Sequence, residues 1–527
     1  MTRHLAGTAT LLRLALRRDR VMMPVWVLAT TALVVSMPRS LGSVYATAAE
    51  RAATAASMNA NSSMRSLYGP VLDDSLGGLT AWRAGVFAAV LAAIMSVTVV
   101  VRHTREEEES GRQELLSAAV VGRRAPLTAA LLAALVANAS IGLLITAGLA
   151  GQGASGALAL GLAVAGAGMV FAAAAAVAAQ LTESARAAKG LAAAVLGAAF
   201  VLRSAGDSAA ARGDSPLVWV SPLGWVEHVR AFAGERWWVL GLFAASVAAQ
   251  AGLGYALAGR RDVGMSFLAT RPGPAEGRLG GTAALAWRLQ RGGLLGWSAG
   301  FLVAGVVFGG MAEGAADLVG DNARTREIIQ RMGGQGALTD AFLAAMAGML
   351  GLVAALFIVS SVLRLSAEEN GRRAEPLLAH PVGRLRWAGG HLAIAFGGSA
   401  LILALGGLGL GLGHAGGAAD TAGVLGACLA QLPAVWTIGA VAVLLYGAVP
   451  RLAPAAWAVA GTALALGWVG PALNLPQAAL DLSPFAHLPK LPGAADPAWT
   501  PLVLLTALAA ALATTGLTAL RRRDLTT

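Results

Sequence analysis

Glu106, Glu107, Glu108 and Glu109 stand in one unbroken run beside Arg105 and Arg112, and half a chain later Glu368, Glu369, Arg372, Arg373 and Glu375 form a second cluster of the same kind. Carboxylates interleaved with guanidiniums suit ion pairing and docking; the histidine, cysteine or activated nucleophile that bond-making chemistry needs is missing from both. Residue by residue, Glu108, Glu109, Gly111 and Arg112 pair with Glu368, Glu369, Gly371 and Arg372. After one extra residue in the second copy, Glu114, Val121, Gly122 and Arg123 pair with Glu375, Val382, Gly383 and Arg384. A glutamate four positions ahead of an arginine, as in Glu108 and Arg112, Glu368 and Arg372, or Glu369 and Arg373, favours helix and sets the pair on one exposed face. Each segment then continues into apolar residues, Leu115, Leu116, Ala118 and Val121 in the first and Leu377, Leu378, Ala379 and Val382 in the second. A merely solvated helix needs no such ridge, whereas a segment that inserts into a partner's groove does.

Other chemistry is sparse. No G-x-x-x-x-G-K-[ST] phosphate loop occurs, and the two lysines, Lys189 and Lys490, follow no glycine-rich turn, so the chain is expected to lack an ATPase site and to bind no cofactor itself. The histidines, among them His391, His414 and His487, miss ligand spacings such as H-E-x-x-H, which argues against a metal site; His391 reads as a polar anchor at a membrane boundary. Cys428 is the single cysteine, which rules out an intrachain disulfide and a cysteine metal site.

The elements that carry these segments are apolar. With 57% hydrophobic and 13% charged residues, the chain is too poor in charge for an ordinary soluble protein, and the bilayer is the expected solvent. The net charge of +11 comes from arginine clusters between apolar runs and forms no continuous basic face with aromatics, so membrane orientation explains it better than nucleic acid does. Runs long enough to span fall near 21–38, 79–101, 125–150, 156–181, 189–206 and 237–258, then near 292–312, 341–363, 388–413, 421–448, 455–473 and 499–519. Arg203 and Trp468 with Pro471 mark where the fifth run of each half frays at the outer surface. The opening basic stretch and the apolar run from Val21 resemble a cleavable signal with Ala46, Thr47 and Ala48 as its cleavage site. The pattern of Arg17, Arg20 and Trp26 returns in mid-chain as Arg288, Arg291 and Trp297, where no signal can lie.

An even number of spans puts both ends on one side, and placing that side in the cytoplasm assigns most of the 39 lysines and arginines to it. Arg13, Arg17 and Arg20, interleaved with Leu11, Leu12, Leu14 and Leu16, form a basic amphipathic helix along the inner leaflet, and Trp287 to Arg291 repeats it. A plain positive-inside flank accounts for one such copy, less well for two. The linker GRRDVGMSFLATRPGPAEGRLGG from Gly259 is the seam between halves. Outer segments 39–78 and 313–340 mix polarity and carry helix, as RTREIIQRM from Arg324 suggests. SPLGWVEHV from Ser221 and SPFAHLPKL from Ser483 read as short helices dipping into the outer membrane face.

Within the runs, Asn138, Gln180, Gln250 and Gln431 suit interhelical hydrogen bonds, and the small-residue stretches Ala172 to Ala179 and Gly406 to Gly413 suit close helix packing more than a substrate path. Arg83 beside Trp82 reads as a snorkelling side chain before a substrate contact. The ionisable residue that an ion-coupled carrier keeps inside the membrane is not evident.

At Glu109, Gly111, Glu114, Leu115, Leu116, Val121 and Arg123, and again at Glu369, Gly371, Glu375, Leu377, Leu378, Pro381, Val382 and Arg384, the chain resembles the membrane subunits of ABC exporters of the ABC-2 type. The loop between their second and third helices often reads E-x-x-x-G-x-x-E-x-L-x-x-x-P-V-x-R. Val120 departs from the family's proline, which Pro381 keeps. The likeness covers nearly the whole chain and is nearest to the fused, double-length permeases of actinobacteria described as tetronasin-type or polyketide-antibiotic exporters.

This resemblance implies an all-α integral membrane protein of about 12 transmembrane helices in two repeated six-helix halves, like other exporters of this type. The first half, 1–258, holds a lead-in helix at 4–20, a coupling segment at 102–124 and an outer gate segment at 215–232. A cytoplasmic linker takes 259–283, and the second half, 284–527, repeats the three parts at 284–292, 364–387 and 474–492. The implied ATPase-coupling residues are Glu108, Glu109, Gly111, Arg112, Glu114, Leu116 and Arg123, with Glu368, Glu369, Gly371, Arg372, Glu375, Leu377, Pro381 and Arg384. Ser221, Pro222, Leu223, Ser483, Pro484 and Phe485 are implied at the outer gate. No residue is expected to be catalytic or to bind metal. Two copies of a separate ABC ATPase, carrying ATP and Mg, are implied as partners in the bacterial plasma membrane. The implied cargo is a hydrophobic or amphipathic antibiotic, drug or lipid-like compound. The competing reading is an ion-coupled secondary multidrug carrier of about 12 helices, which the missing intramembrane charge disfavours. A membrane-bound enzyme needs clustered His, Asp or Arg at a leaflet boundary, and none is seen.

Overall fold

The computed structural model describes residues 2–117, 121–210, 215–262, 264–268, 280–319, 338–414, 418–468, 476–492 and 499–524. Among these residues every regular element is a helix and no strand occurs, and eleven helices are long and apolar enough to cross a membrane. Helices satisfy their own backbone amides and carbonyls, which is what hydrocarbon demands of a spanning segment. With Leu143, Leu412, Val503 and Leu504 among many large apolar side chains left exposed, the chain is a multi-pass integral membrane protein.

The chain divides into two compact units, Met1–Gly273 and Pro274–Thr527. In the first, α1 (Thr8–Arg18) leads into α2 (Met22–Val35) and α3 (Met37–Val44), which together form one candidate span, followed by α4 (Ala48–Ala60) and α5 (Ser62–Tyr68). Ser75 caps α6 (Leu76–Arg102) by accepting from the Gly78 amide, and Thr47 and Glu50 form a reciprocal capping box on α4. The polar stretch that follows is two short helices, α7 (Arg105–Glu109) and α8 (Arg112–Ser117). Pro126 in the first turn opens α9 (Ala125–Leu149), and α10 (Ala154–Leu181) and α11 (Ala185–Ala209) come next. Two short helices, α12 (Pro216–Val220) and α13 (Pro222–His228), precede α14 (Val239–Ala258).

The core of this unit is α10 packed between α6, α9 and α14. Small residues make it possible: Ala172, Ala173, Ala175, Ala176, Ala178 and Ala179 are all buried, as the packing reading of that run expects. Asn138 donates to Ser96 Oγ across α9 and α6 at 2.8 Å, whereas Gln250 reaches only Ser246 on its own helix. Arg83 lies over the Tyr68 ring, 4.2 Å from its centroid, a cation–π contact in place of free snorkelling.

The second unit opens with α15 (Thr282–Val319), then α16 (Leu338–Val362), α17 (Arg364–Asn370), α18 (Ala374–Leu378), α19 (Arg384–Gly413), α20 (Ala418–Leu429) and α21 (Leu432–Ala448). After them come α22 (Ala456–Trp468), α23 (Gln477–Leu480) and α24 (Thr500–Arg522). Here α15 meets α19 with backbones almost touching: a Cβ on Gly309 would lie 2.1 Å from the Leu410 carbonyl oxygen, and one on Gly447 of α21 would lie 2.0 Å from that of Gly516 of α24. The Gly406 to Gly413 run is therefore a packing surface.

Three expectations change. Trp287 to Arg291 is no separate amphipathic helix but part of the unbroken α15, which lacks the turn at residues 19–21 that separates α1 from α2 in the first unit. The run 421–448 is broken at Ala430 and Gln431, where Pro433 in the next turn lacks a donor amide. Arg203 does not mark a frayed end: it is wholly buried and α11 runs on to Ala209. The run RTREIIQRM, Pro471 and most of the linker lie outside the described residues.

Candidate functional site

Gly111 adopts a left-handed conformation, φ +73°, which ends α7 one turn after Arg105 and starts α8 in a new direction. The expected pairing of Glu108 with Arg112 on one helix face cannot form across that break. Instead the Arg261 guanidinium, just past α14, donates to both carboxylate oxygens of Glu108, Nη1 at 2.9 Å to Oε2 and Nη2 at 2.6 Å to Oε1. Arg105, fully buried, adds a second cation 2.8 Å from Glu108 Oε2 and anchors itself on the carbonyls of Ala179 and Met265. Arg112 pairs with Glu107 at 3.1 Å, and Glu107 also holds Arg18 of α1. Glu109 accepts from the Ala185 amide that opens α11, 2.9 Å away.

The second segment is built alike. Arg372 takes the left-handed conformation, φ +54°, so α17 stops there and neither Glu368–Arg372 nor Glu369–Arg373 forms a helical pair. Glu369, buried, accepts from Arg523 just past α24, Nη1 at 2.8 Å to Oε1 and Nη2 at 2.7 Å to Oε2. The Tyr446 hydroxyl donates to the same carboxylate at 2.7 Å, a further donor as Arg105 is for Glu108. Glu368 is shared by Arg364 at 3.0 Å and Arg373 at 3.6 Å.

These contacts correct the residue matching. The shift that carries Glu108 onto Glu369 also carries Gly111 onto Arg372, Arg112 onto Arg373, Glu114 onto Glu375 and Arg123 onto Arg384, with no inserted residue. It equates the two left-handed residues and the two carboxylates held by a bidentate arginine, whereas the gapped matching equates neither. Arg123 donates to the Arg261 carbonyl oxygen at 2.7 Å, and Arg384 donates to that of Arg523, so in each unit both ends of the polar segment close on one residue.

Of the sequence-selected residues, Glu108, Glu368 and Glu369 thus turn inward. Glu109, Arg112, Glu114, Arg123, Gly371, Arg372, Glu375 and Pro381 are exposed. Leu377, Leu378 and Val382 pack partly against their own unit's core, so the second apolar ridge is largely satisfied at home. The side chain of Leu116 lies outside the described residues, as does Val120. Arg261 lies in the linker and Arg523 in the basic cluster after the last span, where positive-inside topology alone accounts for both. The signal that marks them is the Arg-Arg-Asp triplet ending at Asp262 and again at Asp524, each just after the last helix of its unit.

Far along the chain from these segments, Ser221 caps α13: its hydroxyl accepts from the Leu223 amide at 3.2 Å and donates to the Ala199 carbonyl at 2.7 Å. Pro222 occupies the first turn and Leu223 is fully buried. Ser483 precedes a single 3-10 turn, Pro484–His487, and Phe485 packs toward Leu488 and Leu505. Around Ser221 lies a buried ionic cluster that no repeat signals. Arg203 donates to Glu227 at 2.8 Å and to the carbonyls of Ser66 and Leu67 at 3.0 and 2.9 Å, with Asp207 at 3.4 Å. Asp207 is a carboxylate inside a candidate span, which corrects the expectation that none is present. Burial holds the Glu227 carboxyl above the usual carboxylate range against the pull of Arg203.

A second ionic site joins α1 to the end of α6: buried Asp19 meets Arg102 at 2.8 Å and His103 at 2.7 Å. Its counterpart, by the matching that carries Arg17 onto Arg288, is neutral Gln290, bonded to His391 Nδ1 at 3.0 Å and to Ser361. His391 is buried and serves as a polar tie between helices.

Eleven helices long and apolar enough to cross a membrane define an integral membrane protein, and no group of His, Cys, Asp or Glu suited to a metal ion occurs among the described residues. The family model for the C-terminal domain of the multidrug efflux system permease Rv1217c matches residues 279–521. Multidrug efflux system permease protein Rv1217c of Mycobacterium tuberculosis (strain ATCC 25618 / H37Rv) is 47% identical over 527 residues, which takes in 98% of this chain and 95% of that protein. The chain belongs to this family of multidrug efflux permeases.

Proposed function

We propose that the chain is the membrane-spanning permease of an ATP-driven exporter of the ABC-2 type, working with two copies of a separate ATPase that carry ATP and Mg. It moves a hydrophobic or amphipathic compound out of the cell, lies in the bacterial plasma membrane with both termini cytoplasmic, and comprises two halves of six spans. The observation that carries this reading is the doubled polar segment. Both copies break at a left-handed residue and close on an arginine, and both leave a charged edge, Arg112, Glu114 and Arg123 in one and Arg372 and Glu375 in the other, facing water. Exposed charge held on so firmly braced a base suits a docking element for a soluble subunit. Five candidate spans are described in the second unit, and this reading takes α22, 13 described residues within the 455–473 run, as the fifth of six. Ser221 and Ser483, with Pro222, Leu223, Pro484 and Phe485, belong in this reading to the outer gate.

The test is co-purification. An affinity-tagged chain expressed with the ATPase encoded beside it is expected to yield a complex with two ATPase copies, while the chain alone hydrolyses no ATP. Replacing Glu114 and Glu375 by lysine is expected to abolish assembly. Export by the purified chain without any ATPase would instead favour the ion-coupled carrier, to which Asp207 and Glu227 give a charged site.

A further inference from the structure

The polar segments touch more than water. In each unit, the last helix, α14 or α24, is the least buried of the described candidate spans and rests chiefly on one neighbour, α10 for α14 and α21 for α24. The residue just beyond it, Arg261 or Arg523, is nevertheless gripped three times over by the polar segment: two guanidinium–carboxylate bonds from Glu108 or Glu369, and one bond to its carbonyl from Arg123 or Arg384. Bidentate arginine–carboxylate pairs are directional as well as strong, so the grip fixes orientation in addition to distance. The same three bonds occur in both units while their surroundings differ, with Arg105 and Gln180 beside Glu108 and Arg261 and Tyr446 beside Glu369. A repeated grip at the end of a helix that otherwise rests on one neighbour suits the transfer of displacement as well as cohesion.

We propose that Glu108–Arg261 and Glu369–Arg523 are mechanical latches, positioning pairs that make the last helix of each unit move as one body with the polar segment when a nucleotide-driven subunit displaces that segment. This rests on the docking role argued above. Glu108, Arg123 and Arg261 form one rigid triangle, as do Glu369, Arg384 and Arg523. The exposed residues of each segment receive the push and the buried ones pass it on. The latches therefore separate two jobs that the sequence places on neighbouring residues: Glu114 and Glu375 dock, Glu108 and Glu369 transmit.

The experiment labels Ser110→Cys and Leu253→Cys with spin labels in a Cys428→Ser background and measures their distance distribution by pulsed electron resonance. It is done on the chain alone and on the chain with its co-purified ATPase, with and without ATP and vanadate. Asn370→Cys and Thr518→Cys report on the second unit. With the latch intact, one narrow population is expected in every state. With Glu108→Gln, or Arg261→Gln should that variant express better, the chain alone broadens, and a second population appears on adding nucleotide to the complex. The exchange Glu108→Arg with Arg261→Glu restores the single population. A merely cohesive pair leaves the distribution blind to nucleotide, and a distribution unaltered by Glu108→Gln in the assembled complex overturns the latch. If no ATPase co-purifies, the docking reading fails separately, and the chain alone still decides whether Glu108 fixes the helix.

Discussion

Glu227 sits outside the spanning helices with its carboxylate against Arg203, and desolvation holds its proton more tightly than water does. A carboxyl whose folded pKa lies above its unfolded value takes up protons on folding. Its contribution to stability is thus fullest below the ordinary glutamate value of about 4.3 and declines as pH rises through the folded pKa. The expected outcome is an apparent melting temperature in detergent that falls as pH rises above the ordinary glutamate value, with a flatter curve for Glu227→Gln; equal slopes would exclude this residue as the cause. Phe232 shows another kind of restraint: it accepts a left-handed backbone, φ +66°, and its ring fills a slot beside Gly77 and Gly156, where any Cβ would collide with it. At this scale the sequence was legible in part. Glu108, Glu369, Arg123 and Arg384 stood out by repetition, but their partners Arg261 and Arg523 resembled the positive flanks that membrane topology alone explains.

Helices that meet through glycine carry their stability in the closeness of two backbones. Gly309 has the Leu410 carbonyl where a methyl group would go, while Gly300 on the same helix faces open space. Gly309→Ala is therefore expected to destabilise the protein by about 1–3 kcal/mol, the usual penalty of overpacking, read as a lower thermal midpoint. Gly300→Ala is expected to hold or raise the midpoint, because alanine is the better helix former; matching losses in the two variants would contradict the packing argument. The same scale explains what happened to the expected ion pairs. Helical spacing places Glu108 opposite Arg112, but one left-handed residue at Gly111 or Arg372 redirects the chain, and the carboxylates turn to arginines far off in sequence. Local propensity reads a helix there; it does not see where a helix stops.

Across the whole molecule, the orientation proposed here puts both polar segments on the cytoplasmic side and the α4–α5 region opposite. In a Cys428→Ser background, Ala53→Cys is expected to react with a membrane-impermeant maleimide on intact cells. Glu114→Cys and Glu375→Cys are expected to react only after the membrane is opened, and labelling of either from outside would reverse the topology. The type of the long elements, and the places of the eleven candidate spans among the described residues, followed from the sequence alone, because a hydrocarbon solvent admits little besides apolar helices of sufficient length, and those are visible as runs. A permease for drug efflux was also expected there, and the relative that is 47% identical supports that coarser reading. Tertiary structure alone decided which charges pair. Asp19 with Arg102, Arg203 with Glu227, and Glu108 and Glu369 with arginines at the end of their units are contacts between residues distant in the chain. Charge leaves a mark on composition at each position, but in a low-dielectric interior its partner is chosen by distance and orientation, which exist only once the helices have packed.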